Sequence, residues 1–187
     1  NYSNPILTNV TIANNTGYNG GGMYLSNSDP ILTNITISNN TANYGGGMYL
    51  SSSNPILTHV TISNNTAENY GGGMYVSGTD TLIAVNSTFN HNTAENNTSY
   101  GGGMYIYGDP NNEIVTIDKT AITNNTCGNY GGGIYLYRTD FTMTNSLIAG
   151  NTTTNQYGGG IYFSHTYNNP KLTNLTIADN SCTSNGG

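Results

Sequence analysis

Charged residues are scarce in this chain of 187 residues. They make up 6% of it, against roughly 25% in an ordinary globular protein. Three lysines and arginines against nine aspartates and glutamates give a formal net charge of −6. Because such a surface would repel nucleic acid and anionic membranes, we expect neither as a partner. The sequence also lacks an apolar run of roughly 18 residues, the length that a membrane-spanning helix needs, so no membrane insertion is predicted.

Glycine, in contrast, is abundant and regularly placed. The motif Gly-Gly-Gly-apolar-Tyr occurs six times, beginning at Gly20, Gly45, Gly71, Gly101, Gly131 and Gly158. The steps between copies are 25, 26, 30, 30 and 27 residues. Repetition with a period of about 20–50 residues is typical of solenoids and arrays. We therefore predict that residues 1–187 form a single solenoid domain.

Each repeat contains short strands and no segment of helical length. In the third repeat, polar and apolar residues alternate from His59 to Ile62 and again from Met74 to Val76. A period of two is typical of a half-buried strand. Because strands this short cannot bury a face alone, successive coils must stack. We predict two or three strands per repeat and an all-β fold, a parallel β-helix (β-solenoid) of about seven coils of 25–30 residues.

Aligning the repeats produces columns of equivalent residues. Three columns are apolar throughout, and we assign them to the core. They are the Met or Ile after the glycines, the residue two positions later, and the column that begins at Ile12. The tyrosine between the first two columns must then point outward, because side chains alternate along a strand. We therefore predict an outward tyrosine ladder with rungs about 4.8 Å apart. Its members are Tyr24, Tyr49, Tyr75, Tyr105, Tyr135 and Tyr162.

Asparagine is predicted to occupy the turns, because it tolerates left-handed backbone and bonds to local backbone groups. Stacked asparagine side chains can also bond to one another. One column is Asn15, Asn40, Asn65, Asn92, Asn125, Asn151 and Asn180; a second is Asn9, Asn34, His59, Asn86, Lys119, Asn145 and Asn174. Turn asparagines in Asn-x-Thr sequons are candidates for N-glycosylation if the chain is exported. The exposed copies are expected at Asn14, Asn39, Asn64 and Asn124.

The two cysteines, Cys127 and Cys182, fall in one column two coils apart. Two inter-strand steps separate Cα atoms by about 9–10 Å, whereas a disulfide needs less than about 7 Å. An internal bridge is therefore disfavoured. The remaining alternatives are two free thiols or bridges to a neighbouring chain.

Groups suited to catalysis do not converge on any column. Glu68 and Glu95 lie in equivalent loops but look exposed to solvent, whereas a glycosidase acid needs a raised pKa. The three histidines fall in different columns, which argues against a metal site. The aspartates assigned to the return turn after the Gly-Gly-Gly strand are Asp29, Asp80, Asp109 and Asp140, Glu113 stands in an insertion, and the strong bases are Lys119, Arg138 and Lys171. We predict no catalytic residue, no metal, no cofactor and no enzymatic activity.

The repeat resembles the right-handed parallel β-helix of the pectin-lyase-like superfamily. More narrowly, it resembles the repeats of chlamydial polymorphic outer-membrane proteins, which carry paired GGA(I/L/V) and FxxN motifs. Gly-Gly-Gly-Met or Gly-Gly-Gly-Ile takes the place of the first motif, and the segment from Phe89 to Asn92 matches the second. The resemblance implies the fold and a surface location. It implies little about activity, because this fold hosts lyases, hydrolases, adhesins and passive stalks.

The leading functional hypothesis is a non-catalytic extracellular structural protein: a surface stalk, an adhesin repeat or a filament subunit. Because the sequence starts and stops partway through a coil, we expect it to contact further repeats of a longer chain or to stack head to tail with itself. The alternative is a carbohydrate-binding or carbohydrate-cleaving module whose tyrosine face stacks on sugars. A third hypothesis, ice binding through rows such as Asn9 with Thr11, is weakened by Lys119 and Leu147 in the same rows.

Overall fold

A computed structural model describes residues 3–78, 81–108, 114–165, 170–184 and 186. The chain winds into a parallel β-solenoid in which each strand pairs in parallel with the equivalent strands of the neighbouring coils. The described residues contain strands and turns but no helix, so the predicted all-β solenoid is confirmed. The predicted turn positions Asp80 and Asp109, and Glu113 in the insertion, lie outside the described residues.

Four parallel sheets, named A to D in their order along a coil, form the walls of the solenoid. Sheet A contains β1 (Ile6–Thr8), β4 (Ile31–Thr33), β8 (Ile56–Thr58), β12 (Thr81–Val85), β16 (Ile114–Asp118), β20 (Asp140–Thr144) and β24 (Lys171–Thr173). Sheet B contains β2 (Thr11–Ala13), β5 (Thr36–Ser38), β9 (Thr61–Ser63), β13 (Thr88–Asn90), β17 (Ala121–Thr123), β21 (Leu147–Ala149) and β25 (Thr176–Ala178). Sheet C contains β6 (Thr41–Tyr44), β10 (Thr66–Tyr70), β14 (Thr93–Ala94), β18 (Thr126–Cys127), β22 (Thr152–Thr153) and β26 (Ser181–Cys182). Sheet D contains β3 (Met23–Ser26), β7 (Met48–Ser51), β11 (Met74–Ser77), β15 (Met104–Tyr107), β19 (Ile134–Tyr137) and β23 (Ile161–Ser164).

Two details of the predicted coil are wrong. Sheets A and B have seven strands each and sheets C and D have six each, so the chain makes about six turns rather than seven. The turns that begin at β4, β8, β12, β16 and β20 have four strands each rather than two or three, whereas the first turn has three strands and only isolated bridges, such as that at Thr16, in sheet C. The missed strand is the one in sheet C, because Thr66–Tyr70 is polar and contains asparagine, which is typical of a loop.

Single residues with left-handed backbone turn the chain from sheet to sheet. The predicted turn column from Asn9 to Asn174 lies at the corner between sheets A and B, and all seven members have φ between 48° and 57°. At the corner between sheets B and C, the left-handed residues include Asn14, Asn39, Asn64 and Asn124, with φ of 54–59°. The turn prediction is therefore confirmed for the first corner. The same corner contains Asn9, whereas Thr11 lies on sheet B. Because these two residues do not share one flat surface, the geometry further disfavours ice binding through a row that contains both.

The asparagine column from Asn15 to Asn180 lies inside the solenoid rather than in a turn. Its five central members, Asn40, Asn65, Asn92, Asn125 and Asn151, are fully buried. Each side-chain oxygen accepts bonds from the backbone N–H and the amide of the asparagine one coil earlier, at 2.9–3.1 Å. Each amide also donates to a backbone carbonyl of an earlier coil. Because a buried amide must be hydrogen-bonded, this ladder fixes one coil upon the next.

The predicted apolar columns form the core. Met48, Met74 and Met104 are fully buried, as are the residues two positions later in each strand. The column that begins at Ile12 is also fully buried from Ile37 to Ile148. Exposure rises only in the outermost coils, where a second neighbouring coil is lacking.

Each glycine triplet has two structural roles. The first glycine has left-handed backbone, as at Gly71 with φ of 65°. The second and third approach the backbone of the adjacent coil so closely that no side chain fits. A Cβ atom on Gly72 would lie 2.4 Å from the carbonyl oxygen of Gly102. Both properties predicted for these glycines are present: left-handed backbone and close backbone approach.

Candidate functional site

The tyrosines of sheet D form a continuous stack on the outer wall. Strands β3, β7, β11, β15, β19 and β23 pair in register, so their central tyrosines lie directly above one another. Adjacent ring centroids are 4.7–5.6 Å apart, and the ring planes differ by only 1–12°. The predicted ladder of Tyr24, Tyr49, Tyr75, Tyr105, Tyr135 and Tyr162 is therefore present and faces away from the core. We call it the inner ladder.

A second tyrosine column, missed in the sequence, runs beside the inner ladder. It comprises the tyrosines that immediately precede the glycine triplets, Tyr44, Tyr70, Tyr100, Tyr130 and Tyr157, and we call it the outer ladder. Neighbouring centroids within it are 5.0–5.8 Å apart. The recurring Tyr before Gly-Gly-Gly was the available signal, but it lies in a segment that the sequence assigned to a variable loop.

The two ladders pack against each other with an offset of one coil. The Tyr70 ring lies 5.1 Å from Tyr105, and Tyr100 lies 5.1 Å from Tyr135. As a result Tyr105 and Tyr135 are each only 8% exposed, whereas Tyr24 at the edge of the stack is 54% exposed. The outward direction predicted for the ladder therefore does not leave its central rungs open to solvent. The physical reason is the second ladder, which covers the first.

Burial of the inner ladder changes the acidity of its phenols. Desolvation raises the pKa of Tyr75 to about 12, although a hydrogen bond to Ser77 acts in the opposite direction. Desolvation also raises the pKa values of Tyr105 and Tyr135. These phenols therefore stay protonated at neutral pH and are poor general bases.

Ring orientation limits what the tyrosine face can bind. A sugar stacks on the flat face of an aromatic ring, and here each interior ring has its faces covered by the rings above and below. Only ring edges and hydroxyl groups remain toward solvent. The predicted stacking of a saccharide along the ladder is therefore disfavoured by the geometry.

A smaller aromatic pair lies beside the inner and outer ladders, which we call the main ladders. It is formed by the last residues of strands β15 and β19 in sheet D. Tyr107 and Tyr137 are paired in register, with centroids 4.8 Å apart and planes 14° apart. The Arg138 guanidinium carbon is 5.0 Å from the centroid of the Tyr137 ring, a cation–π distance. The His165 ring lies 5.2 Å from Tyr137, on the side away from Tyr107 in coil order. Tyr107 is 41% exposed, so this pair is more open than the central inner ladder.

The four candidate glycosylation residues lie at exposed corners. Asn14, Asn39, Asn64 and Asn124 all have left-handed backbone between sheets B and C, and all four are exposed. Their side chains are therefore accessible to solvent. Glycosylation at these positions stays a prediction.

The two cysteines have different environments. Both are free, and they occupy one column of sheet C with Thr153 between them, as the repeat alignment predicts. Cys127 is 1% exposed, and burial raises the pKa of its thiol to about 12. A bridge from Cys127 to another chain is therefore disfavoured, because its sulfur is inaccessible. For the half-buried Cys182 an intermolecular bridge stays a prediction.

Acidic and basic side chains remain scattered along the described coils. Glu68 and Glu95 are exposed. Asp29 accepts two bonds from Asn54, in keeping with its predicted turn role, but Asp140 begins strand β20 rather than lying in the turn. Within the described part of the chain, no group of three or more histidine, cysteine, aspartate or glutamate residues could hold a metal ion.

Asp118, like Asp29, accepts hydrogen bonds from the next coil. Its carboxylate accepts a bond from the Thr144 hydroxyl and one of 2.8 Å from the Asn145 amide. These bonds hold the pKa of Asp118 below its usual value. Nearby, Lys119, Asn145 and Asn174 line a shallow groove of about 520 Å³. The Asp118 carboxylate is ionised, and the side chains that donate hydrogen bonds to it are neutral. This contact therefore joins two coils. It does not supply the protonated acid that glycoside hydrolysis needs.

Similarity to known proteins agrees with this geometry. A family described as a right-handed β-helix region matches residues 1–116, and the Chlamydia polymorphic membrane protein repeat matches residues 119–137. Comparison with curated proteins and with solved structures gave no match. In the described residues, no helix is long and apolar enough to span a membrane. With the family match over more than half of its length and with its stacked parallel sheets, the chain belongs to the right-handed β-helix family.

Proposed function

We propose that this chain is a non-catalytic structural segment of an extracellular protein, a rigid β-solenoid that acts as a surface stalk or adhesin repeat. The observation that carries the proposal is the mutual packing of the tyrosine ladders. The most regular face of the molecule is occupied by contacts of one coil with the next, as in the offset pair Tyr70 and Tyr105. A surface used in this way serves rigidity rather than ligand binding.

The interior supports the same role. The buried asparagine ladder and the close glycine approach make each coil depend on its neighbours. Such a solenoid has approximately additive stability along its length, and its length can increase by the addition of coils. These are properties that suit a spacer between a cell surface and a more distal region.

The surface location is supported by the similarity of residues 119–137 to the Chlamydia polymorphic membrane protein repeat. The low content of charged residues and the net charge of −6 fit a partner other than nucleic acid. Antibody labelling of intact cells of the source organism tests the location. We expect labelling without permeabilisation; labelling that appears only after permeabilisation would contradict it.

The proposed partner is another coil of the same type. Leu172 and Ile177 belong to core columns, yet they are 41% and 49% exposed, whereas their neighbours Met143 and Ile148 one coil earlier are fully buried. An additional β-coil with the same columns would cover them. Further repeats of a longer chain or a second copy in a filament would each provide such a coil.

Particle shape and assembly can be measured together. We expect electron microscopy across a concentration series to distinguish single short particles, about 30 Å along the solenoid axis, from filaments. The variant Leu172→Asp should remove any filament, because a charge would be buried at the coil-to-coil contact. Short particles that do not lengthen at high concentration would contradict the filament version of the proposal.

The alternative, a carbohydrate-binding or carbohydrate-cleaving module, would have to use ring edges and hydroxyl groups rather than ring faces. A panel of acidic and neutral polysaccharides tests it through retention of the chain and release of new reducing ends. We expect neither. Cleavage, or retention that is lost in Tyr24→Ala or Tyr107→Ala, would favour the alternative over the structural role.

A further inference from the structure

Tyr107 and Tyr137 form a two-membered stack that differs from both main ladders. The residues at the same position in the flanking coils are serines, Ser77 on one side and Ser164 on the other. The column therefore contains two phenol rings between two small side chains. Neither ring is held on both faces by another tyrosine, as the central rings of the inner ladder are.

Tyr137 is contacted beyond Tyr107 by the Arg138 guanidinium at 5.0 Å and by the His165 ring at 5.2 Å, so Tyr107 is the more open member of the pair. Tyr107 is 41% exposed and Tyr137 is half-buried. In the same two strands, Tyr105 of β15 and Tyr135 of β19 are each only 8% exposed. The two phenols are already 4.8 Å apart, and the in-register pairing of β15 with β19 keeps them together. Coupling requires a rotation of the side chains that brings the ring carbons next to the two hydroxyl groups into contact.

From this geometry we propose that Tyr107 and Tyr137 are a site of oxidative cross-linking, which joins two adjacent coils through a carbon–carbon bond between their rings. Both cysteines of the chain are free, so no disulfide joins one coil to another. The carbon–carbon bond would supply such a covalent link. The reacting partner is a one-electron oxidant of the type that a haem peroxidase generates from hydrogen peroxide. The proposal does not depend on the stalk function.

The chemistry balances with one peroxide for each bond. Each phenol loses one electron and its hydroxyl proton to the oxidant and becomes a phenoxyl radical. The two radicals combine through ring carbons adjacent to the hydroxyl-bearing carbons. The hydrogen atom on each joined carbon then moves to oxygen, which restores both aromatic rings. The protein loses two hydrogen atoms in total, and hydrogen peroxide is reduced to two molecules of water.

The test is oxidation of the intact folded chain at low concentration with a haem peroxidase and limiting hydrogen peroxide. We expect blue dityrosine fluorescence in a species that migrates as a monomer in a denaturing gel and has lost two hydrogen atoms. After proteolysis, mass spectrometry should identify one predominant cross-linked peptide pair, the peptide with Tyr107 joined to the peptide with Tyr137. Oxidation of the chain in urea should instead give a mixture of pairs.

Variants separate this site from general tyrosine oxidation. Tyr137→Phe keeps the ring and removes the phenol, so the Tyr107–Tyr137 peptide pair should disappear while circular dichroism shows the same fold. Tyr24→Phe, in the exposed first rung of the inner ladder, should leave that pair unchanged. Dityrosine confined to the main ladders or formed only between chains would overturn the proposal, as would folded protein that is oxidised without forming the Tyr107–Tyr137 pair.

Discussion

The side-chain amide of Asn65 donates hydrogen bonds to the Asn92 side-chain oxygen at 3.0 Å and to the Ile37 carbonyl at 3.0 Å. Its own oxygen accepts two bonds of 3.0 Å from Asn40, one from the backbone N–H and one from the amide. One fully buried side chain therefore makes four hydrogen bonds and joins three successive coils. Its role is to stabilise stacking, although the same residue type forms the turns one position earlier.

The first prediction concerns this buried amide. Asn65→Ala removes the acceptor of the Asn40 backbone N–H and amide and a donor to the Ile37 carbonyl, and each buried unsatisfied group costs about 1–3 kcal/mol. We expect the free energy of unfolding to fall by roughly 3 kcal/mol or more. Urea denaturation followed by circular dichroism measures this change.

The neighbouring Asn64 provides the matched control. It is exposed and has φ of 54°, a conformation that glycine adopts without strain. Asn64→Gly should therefore change the free energy of unfolding by less than about 1 kcal/mol. Similar losses in Asn65→Ala and Asn64→Gly would show that the buried ladder has no special role.

The second prediction concerns the middle glycine of a triplet. In Gly72→Ala, the new Cβ would lie 2.4 Å from the Gly102 carbonyl oxygen and 2.5 Å from the Thr93 carbonyl carbon. Both are backbone atoms, so relief of the clash requires two coils to separate. We expect loss of cooperative folding or of soluble expression, measured by thermal melting of whatever soluble protein is obtained.

Gly78→Ala is the control for this substitution. Gly78 is exposed, and its new Cβ would lie 3.4 Å from the Ser52 hydroxyl oxygen and 3.9 Å from the Ser52 backbone nitrogen, both ordinary contact distances. The strain of its φ of 60° costs about 1–2 kcal/mol, which a folded solenoid should tolerate. A Gly72→Ala protein as stable as Gly78→Ala would disprove the steric role of the triplet.

Local periodicity was enough to predict the strand faces but not the contacts between coils. The alternation around Tyr75 correctly gave its outward direction, because it depends only on the strand period. The burial of Tyr105 by Tyr70 depends on packing between residues of different coils, which no single repeat contains. Asparagine usually favours turns, and the sequence therefore predicts a turn at Asn65. Its burial is possible because residues of the neighbouring coils form hydrogen bonds with its side-chain amide.

The third prediction concerns the two thiols. Cys127 is buried and the pKa of its thiol is raised to about 12, so it has little thiolate at neutral pH, and the thiolate is the nucleophile. Cys182 is half-buried in the same column. We expect a disulfide reagent such as dithiobisnitrobenzoate to modify Cys182 in the folded chain and Cys127 only upon unfolding.

Single variants identify which thiol reacts. Cys182→Ser should show almost no fast reaction until denaturant is added, whereas Cys127→Ala should retain it. Rapid modification of the folded Cys182→Ser protein would mean that the coil opens at Cys127 or that its burial is incomplete.

The last prediction concerns alkaline pH. Burial raises the pKa of Tyr75 to about 12, whereas an unfolded tyrosine has a pKa of about 10. Above the unfolded pKa, the unfolded chain has lost the proton that the folded chain still binds, so stability must fall as pH rises. The contribution of this phenol to the free energy of unfolding is complete below pH of about 10 and is lost as the pH approaches about 12.

Tyr75→Phe tests the alkaline prediction. The substitution removes the phenol and should reduce the slope of the free energy of unfolding against pH between these two values. Tyrosinate absorbance of the folded chain should rise later than that of the chain in urea, and coincident curves would contradict the burial of the ladder.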